Sequence, residues 1–198
     1  MSPEYLALAA ERRATQPAPH LQPEDFGYDF SSWVSPYTKG ACAGGGVAVV
    51  LQDWASADGL SGPPKAEIQL HGRMPALLTN RRLETLLEKV LGLGLSDVYA
   101  TNVFPFVKRG GMSAPIRSPE VLRYARQFAV RELQLAEPVV VLALGAVAHA
   151  TLNACGVKNV ALPHPAARIG SVAAHESAWR SALSTSGYAA LVKGSRVA

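Results

Sequence analysis

Four side chains have the types and settings for hydrolytic chemistry. Gln52 and Asp53 end the apolar run Val47–Leu51, Asn102 ends a second run, and His164 stands between Pro163 and Pro165. A carboxylate such as Asp53 can act as a general base or hold an attacking water; it can equally cap a loop. Asn102 offers a donor beside an acceptor and can read an amide-like edge, or it can close a turn. Two flanking prolines stiffen the backbone around His164. Held neutral, its ring can donate a hydrogen bond to a developing oxyanion; in a solvated loop it would do nothing. Lys108, Arg109 and Arg168 can meet phosphates or serve as surface charge.

The value of these residues depends on the elements that hold them. Val47–Leu51, introduced by Gly44-Gly45-Gly46, reads as a strand buried on both faces. Val98–Thr101, Val139–Leu144 and Asn159–Leu162 read as three further strands. Between them lie helical patterns. One is opened by a Thr79 cap, carries Leu83, Leu86, Leu87 and Val90, and is closed by Gly92 and Gly94. Another starts at Ser118-Pro119, with Leu122, Ala125, Phe128, Ala129 and Leu133 inward, and stops at Pro138. A third runs from Gly145 to about Cys155, and a last from Ser171 to Leu183 with Trp179 inward. Pro3–Ala14 forms an N-terminal helix with Tyr5, Leu6, Leu8 and Ala9 on one side. Residues 15–39 are rich in proline and aromatics and are expected to wrap over the domain. Residues 55–76 and 103–117 are expected to be irregular connections. The alternation of strand and helix predicts an α/β fold, a three-layer αβα sandwich with a central four-stranded parallel sheet. Right-handed crossovers put all strand tips on one edge. Gln52, Asp53, Asn102, the Gly145 turn and His164 are therefore expected to converge.

Composition narrows the class. The 198 residues, 48% hydrophobic and 17% charged, suit one globular domain, with residues 1–45 as its N-terminal helix and wrapping segment. No apolar run approaches the roughly 20 residues of a membrane span, and no secretory leader pattern opens the chain. Cys42 and Cys155 lie in no metal-ligand spacing, so neither a metal nor another cofactor is expected. Reduced thiols fit the cytoplasm. The net charge of +4 permits a polyanionic partner. There is no Gly-x-Gly-x-x-Gly, no P-loop and no Gly-x-Ser-x-Gly elbow.

Taken together, the motifs resemble the uracil-DNA glycosylase superfamily. Gln52-Asp53 after a Val-rich strand is similar to that family's first motif, Gly-Gln-Asp-Pro-Tyr-His in one branch. Tyr99-Ala100-Thr101-Asn102-Val103 resembles the strand bringing the base-reading asparagine, and His164-Pro165-Ala166-Ala167-Arg168 resembles the second motif. The stretch from Glu132 through Pro138 and Gly145 to Ala148 also matches its bacterial branches, so the resemblance covers about Val47 to Arg168. It implies a DNA repair enzyme that flips uracil out of DNA and hydrolyses its N-glycosidic bond, leaving an abasic site.

Carried over to this chain, the resemblance implies the following roles. Asp53 would orient the water and stabilise the cationic sugar. The Gln52 backbone amide would contact the base, Asn102 would bond its amide edge, and His164 would donate to O2. Such a donor in a dry pocket is worth roughly 3–4 kcal/mol. Arg168 takes the place of the duplex-inserting or backbone-contacting loop, and Lys108 and Arg109 would add DNA contacts. Leu51 replaces the leading glycine, Trp54 the proline, and Ala55 the tyrosine that excludes thymine, so Trp54 and Ala55 bear on base choice. The stacking residue is looked for near Leu70–His71. Two cysteines cannot hold the iron–sulfur cluster of some branches, which implies a cluster-free member. The expected partners are uracil-containing DNA, single- or double-stranded, with free uracil as product and no membrane. A monomer in the cytoplasm, nucleoid-associated in a bacterium, is expected. Two rival readings stand beside this one: a damage-binding protein with little turnover, and an unrelated α/β small-molecule hydrolase using Asp53 and His164.

Overall fold

The apolar run that starts at Val47 continues as a strand well past its last apolar residue. β1 spans Val47–Ser56 and β2 spans Tyr99–Lys108, each at least twice the length of the expected strand. The molecule is described from a computed structural model covering residues 1–43 and 46–194. Gly44 and Gly45, two of the three glycines expected to introduce β1, lie outside the described residues.

β3 (Val140–Leu144) and β4 (Val160–Leu162) complete a four-stranded sheet of order β2-β1-β3-β4 in which every neighbouring pair is parallel. The helices are α1 (Pro3–Ala14), α2 (Ala66–His71), α3 (Leu78–Leu91), α4 (Ser118–Tyr124), α5 (Val130–Ala136), α6 (Ala146–Ala154) and α7 (Val172–Thr185). A π-helical turn, Ala125–Ala129, joins α4 to α5. The protein is thus an α/β three-layer sandwich around a parallel sheet.

Side-chain alternation along β1 sends Val47, Val49 and Leu51 to one face. There they pack with Leu83, Leu86, Leu87 and Val90 of α3 and with Trp179 and Leu183 of α7. Ala48 and Val50 face the other way, toward Tyr5 and Leu8 of α1, Tyr124, Phe128 and Leu152. Fully burying each large apolar side chain contributes roughly 1.5–3 kcal/mol, so both layers are held chiefly by this two-sided cover. Among the described residues, no helix is long and apolar enough to cross a membrane.

Several local expectations are corrected. Residues 103–108 are strand, not connection, because they pair with β1 as far as Ser56↔Lys108. Pro105 is tolerated because β2 lies at the edge of the sheet, where a missing N–H costs no ladder bond. Residues 55–76 contain the end of β1, a 3-10 turn at Asp58–Leu60 and α2. Thr79 and Ser118 lie inside their helices, and the N-cap positions Leu77 and Arg117 make no side-chain cap. Ser171 does cap α7, accepting from the Ala174 N–H. Leu6 is exposed and Leu122 half-buried; Arg12 and Tyr124 are buried in their helices instead.

Residues 15–39 do wrap the domain, through 3-10 turns at Pro23–Phe26 and Pro36–Gly40, burying Tyr28, Phe30 and Tyr37. Arg12 ties the wrap down. Its Nη2 donates to the Phe30 carbonyl (2.6 Å) and the Trp33 carbonyl (3.0 Å), and its Nη1 pairs with Glu24 at 2.9 Å.

On the α1 side of the sheet, Glu132 of α5 is fully buried. Its carboxylate accepts from Thr101 Oγ1 (2.5 Å), Tyr99 OH (2.9 Å), Thr38 Oγ1 (3.3 Å) and Tyr5 OH (3.4 Å). Burial raises its pKa to about 7, although the four hydroxyl donors pull the other way.

Candidate active site

A cavity of about 320 Å³ opens along the end of β1. That is within the range of small-molecule sites, roughly 300–1,000 Å³. It brings together Asp53, Trp54 and Ala55 of β1, Lys108 of β2 and His164 after β4. Gln52, Asn102, Arg109 and Arg168 do not line it.

The ladder between β1 and β2 shifts where the cavity begins. Asp53 pairs with Phe104 but Ala55 with Val107, so β2 advances three residues while β1 advances two. An extra residue of this kind re-aims side chains and recurs near active sites. Lys108 ends β2 and is only 4% exposed. Its Nζ lies 2.8 Å from Asp53 Oδ2 and donates to the Met112 carbonyl at 2.5 Å. Lys108 is therefore a wall residue of the cavity, not an outward phosphate contact. A lysine is buried this deeply only with a charge partner, and here the partner arrives from the adjacent strand.

His164 reaches the same cavity from the far side of the sheet. The Ala166 N–H donates to its Nδ1 at 3.2 Å. Nδ1 is thus an acceptor, and the hydrogen-bond network assigns the proton of the neutral ring to Nε2. Desolvation lowers the ring's pKa; Asp53 opposes that shift and His175 adds to it. The outcome is a neutral imidazole carrying one N–H donor.

The ring's neighbours fix its place. Gly145 has φ 92°, and a Cβ added there would stand 3.3 Å from His164 Cβ. Trp179 Nε1 donates to the Pro163 carbonyl (3.1 Å) and Arg82 Nη1 to the Pro165 carbonyl (3.4 Å).

The remaining residues singled out in the sequence fall in varied places. Gln52 is half-buried and alternates onto the face opposite Asp53. Asn102 pairs with Leu51 across the ladder, within β2 rather than at its tip, and is 1% exposed. Its Oδ1 accepts from Ser35 Oγ at 2.7 Å, while its buried Nδ2 has no hydrogen-bond partner among the described residues. Trp54 is locked as a wall: its indole N–H donates to the Gly72 carbonyl (2.7 Å), and Phe30 meets its ring edge-on at 5.5 Å. Arg109 folds back so that its Nε donates to the Pro19 carbonyl. Arg168 is exposed. Leu70 points to solvent, and neither it nor His71 lines the cavity.

The wrapping segment also borders the cavity, through Tyr37, and Asn80 of α3 lines it beside Tyr37. Tyr37 OH donates to Asn80 Oδ1 at 2.8 Å, and Asn80 Nδ2 donates to the Met74 carbonyl at 2.7 Å. Desolvation pushes the Tyr37 phenol well above its usual range. The signal for Asn80 was its spacing. It precedes Leu83 and Leu87 by three and seven residues and so shares their inward face. Among the described residues, no cluster of three or more His, Cys, Asp or Glu side chains could hold a metal ion.

In comparisons with known proteins, the chain matches no family model and none of the curated proteins.

Proposed function

We propose that the protein is a DNA glycosylase that hydrolyses the N-glycosidic bond of uracil in DNA. The observation that carries the reading is one cavity lined by both a carboxylate, Asp53, and a neutral imidazole with a free donor, His164. Breaking a glycosidic bond to a base creates charge at two ends. The sugar turns cationic, and the base leaves as an anion with charge gathered at its carbonyl oxygens. Asp53 serves the first end and orients the water; the Nε2–H of His164 serves the second. A charged imidazolium is not needed, because a preorganised donor in a dry site is enough.

A base inside a duplex is out of reach, so the substrate nucleotide is flipped into the cavity. Trp54 and Tyr37 supply aromatic wall, and Ala55 leaves open the space beside the base. Asn102, covered by Ser35 and outside the cavity lining, is not among the residues this reading places against the base. Arg168, exposed beside the His164 turn, contacts the DNA backbone.

The test is uracil release from a labelled oligonucleotide. Asp53→Asn and His164→Ala are each expected to slow release about a hundredfold or more, the usual cost of losing a preorganised charge or donor. Near wild-type rates in both variants would refute these roles.

One observation favours a second reading, a damage-binding protein with little turnover. The Lys108 ammonium lies 2.8 Å from Asp53 and offsets the negative charge a cationic sugar would need. Tight binding to uracil-containing DNA with no abasic product under single-turnover conditions would select it.

A further inference from the structure

Lys108 has no part in the hydrolysis just described, yet it lines the cavity. It is buried, its Nζ is 2.8 Å from the carboxylate assigned to the sugar, and its remaining protein contact is one backbone carbonyl. Burial makes a lysine a candidate nucleophile toward carbonyl carbon, and a carboxylate within hydrogen-bond reach can take the proton that the ammonium must first give up. The product of base excision carries such a carbon. An abasic deoxyribose opens to an aldehyde at C1′, and it is formed where Asp53 meets the sugar.

We infer that Lys108 is a nucleophile that forms an imine with C1′ of an abasic deoxyribose and cleaves the strand by β-elimination. Lys108 first passes one ammonium proton to Asp53 across the 2.8 Å contact. The freed lone pair attacks C1′, and the carbonyl oxygen takes a proton. Loss of that oxygen as water, with the proton held by Asp53, leaves an iminium between Nζ and C1′. The carboxylate of Asp53 then removes a proton from C2′. Those electrons form the C2′–C3′ double bond, and the C3′–O bond breaks with the phosphate as leaving group. Water hydrolyses the iminium and restores the amine. The net products are an unsaturated aldehyde on one strand end and a 5′-phosphate on the other; nothing is oxidised or reduced.

The inference rests on the glycosylase reading for the origin of the aldehyde, but its test does not. Purified protein is mixed with an oligonucleotide carrying a preformed abasic site, made without this protein, and sodium borohydride is added to reduce any imine to a stable amine. The expected result is a covalent protein–DNA complex whose attachment maps to Lys108 on peptide digestion. Without borohydride, the same oligonucleotide is expected to show a β-elimination break.

Lys108→Arg keeps a cation beside Asp53 but removes the nucleophile, and it is expected to reduce trapping at least tenfold. Mapping on the wild-type protein keeps the test decisive should that variant fold poorly. Attachment at Lys65, the other lysine of the cavity wall, would overturn the inference, as would no complex at all with abasic DNA. Trapping at Lys108 without uracil release would uphold it while refuting the glycosylase reading. Uracil release without trapping would do the reverse.

Discussion

The two faces of the sheet each hold a carboxylate away from bulk water, and they treat it in opposite ways. On the cavity side, Asp53 keeps 17% of its side chain exposed and meets a cation, Lys108. On the α1 side, Glu132 is sealed and meets four neutral hydroxyls from α1, the wrapping segment and β2, with no cation among its partners. The first arrangement leaves a charge that an incoming molecule can reach. The second binds three chain segments to α5 and raises the carboxyl's pKa to about 7. A buried acid is therefore no guide to chemistry in this protein. What separates the two is access from a cavity and the charge of the partner.

The largest expected effect on folding comes from breaking the sealed cluster. Glu132→Ala leaves the buried hydroxyls of Tyr5, Tyr99 and Thr101 without their acceptor and opens a void, and we expect a loss of about 3 kcal/mol or more in denaturant unfolding. Asp53→Asn, which keeps a hydrogen-bond acceptor for Lys108 and has solvent nearby, should cost less stability while costing more activity. Equal stability losses would erase the distinction between the two sites.

Glu132 also sharpens the comparison through pH. Its folded pKa, about 7, stands above the ordinary 4.5. Between those values the folded protein holds a proton that the unfolded chain has released, so the contribution of Glu132 to stability is fully present below pH 4.5 and is lost as pH rises through 7. The slope from this one group is at most about 1.4 kcal/mol per pH unit. Glu132→Gln cannot ionise, so its unfolding free energy should gain on wild type as pH rises from 5 to 8. Parallel pH profiles for the two proteins would refute this account of the cluster.

A smaller effect is expected where the fold holds His164. Gly145→Ala forces a left-handed backbone onto a side chain and presses a methyl to 3.3 Å from His164 Cβ. The backbone strain should cost about 1–2 kcal/mol, read in thermal unfolding. Uracil release should fall as well, because the ring is displaced. Smallest of all, Arg168→Ala removes one exposed cation. DNA binding should weaken a few-fold at low salt, and the slope of log affinity against log salt should fall by about 1.

The sheet and its layers were legible because Val47–Leu51 and Val140–Leu144 are apolar runs that only a two-sided cover accommodates. The ends of β1 and β2 were not. Gln52–Ser56 and Asn102–Lys108 mix polar side chains with Pro105, and they are strand because they pair with each other and are covered by Tyr28 and Phe30 of the wrap. Asp53 and His164 could be assigned to one site from strand order and crossover handedness alone. The burial of Lys108 could not be foreseen, since it depends on a carboxylate 55 positions away that the register places beside it. Glu132 was hidden for a similar reason: it stands between outward Arg131 and inward Leu133, and its four donors come from three distant segments. Asn102 was expected at the cavity, but the cover provided by Ser35 keeps it beneath the wall.

The central claim is that Asp53 and His164 act on a flipped uracil. It is tested most directly by single-turnover release of uracil from a defined oligonucleotide, comparing wild type, Asp53→Asn and Glu132→Gln at one pH. The account predicts release by wild type, a loss of about a hundredfold or more in Asp53→Asn, and a rate within a few-fold of wild type in Glu132→Gln. No uracil released by folded wild-type protein, or equal rates in wild type and Asp53→Asn, would contradict it.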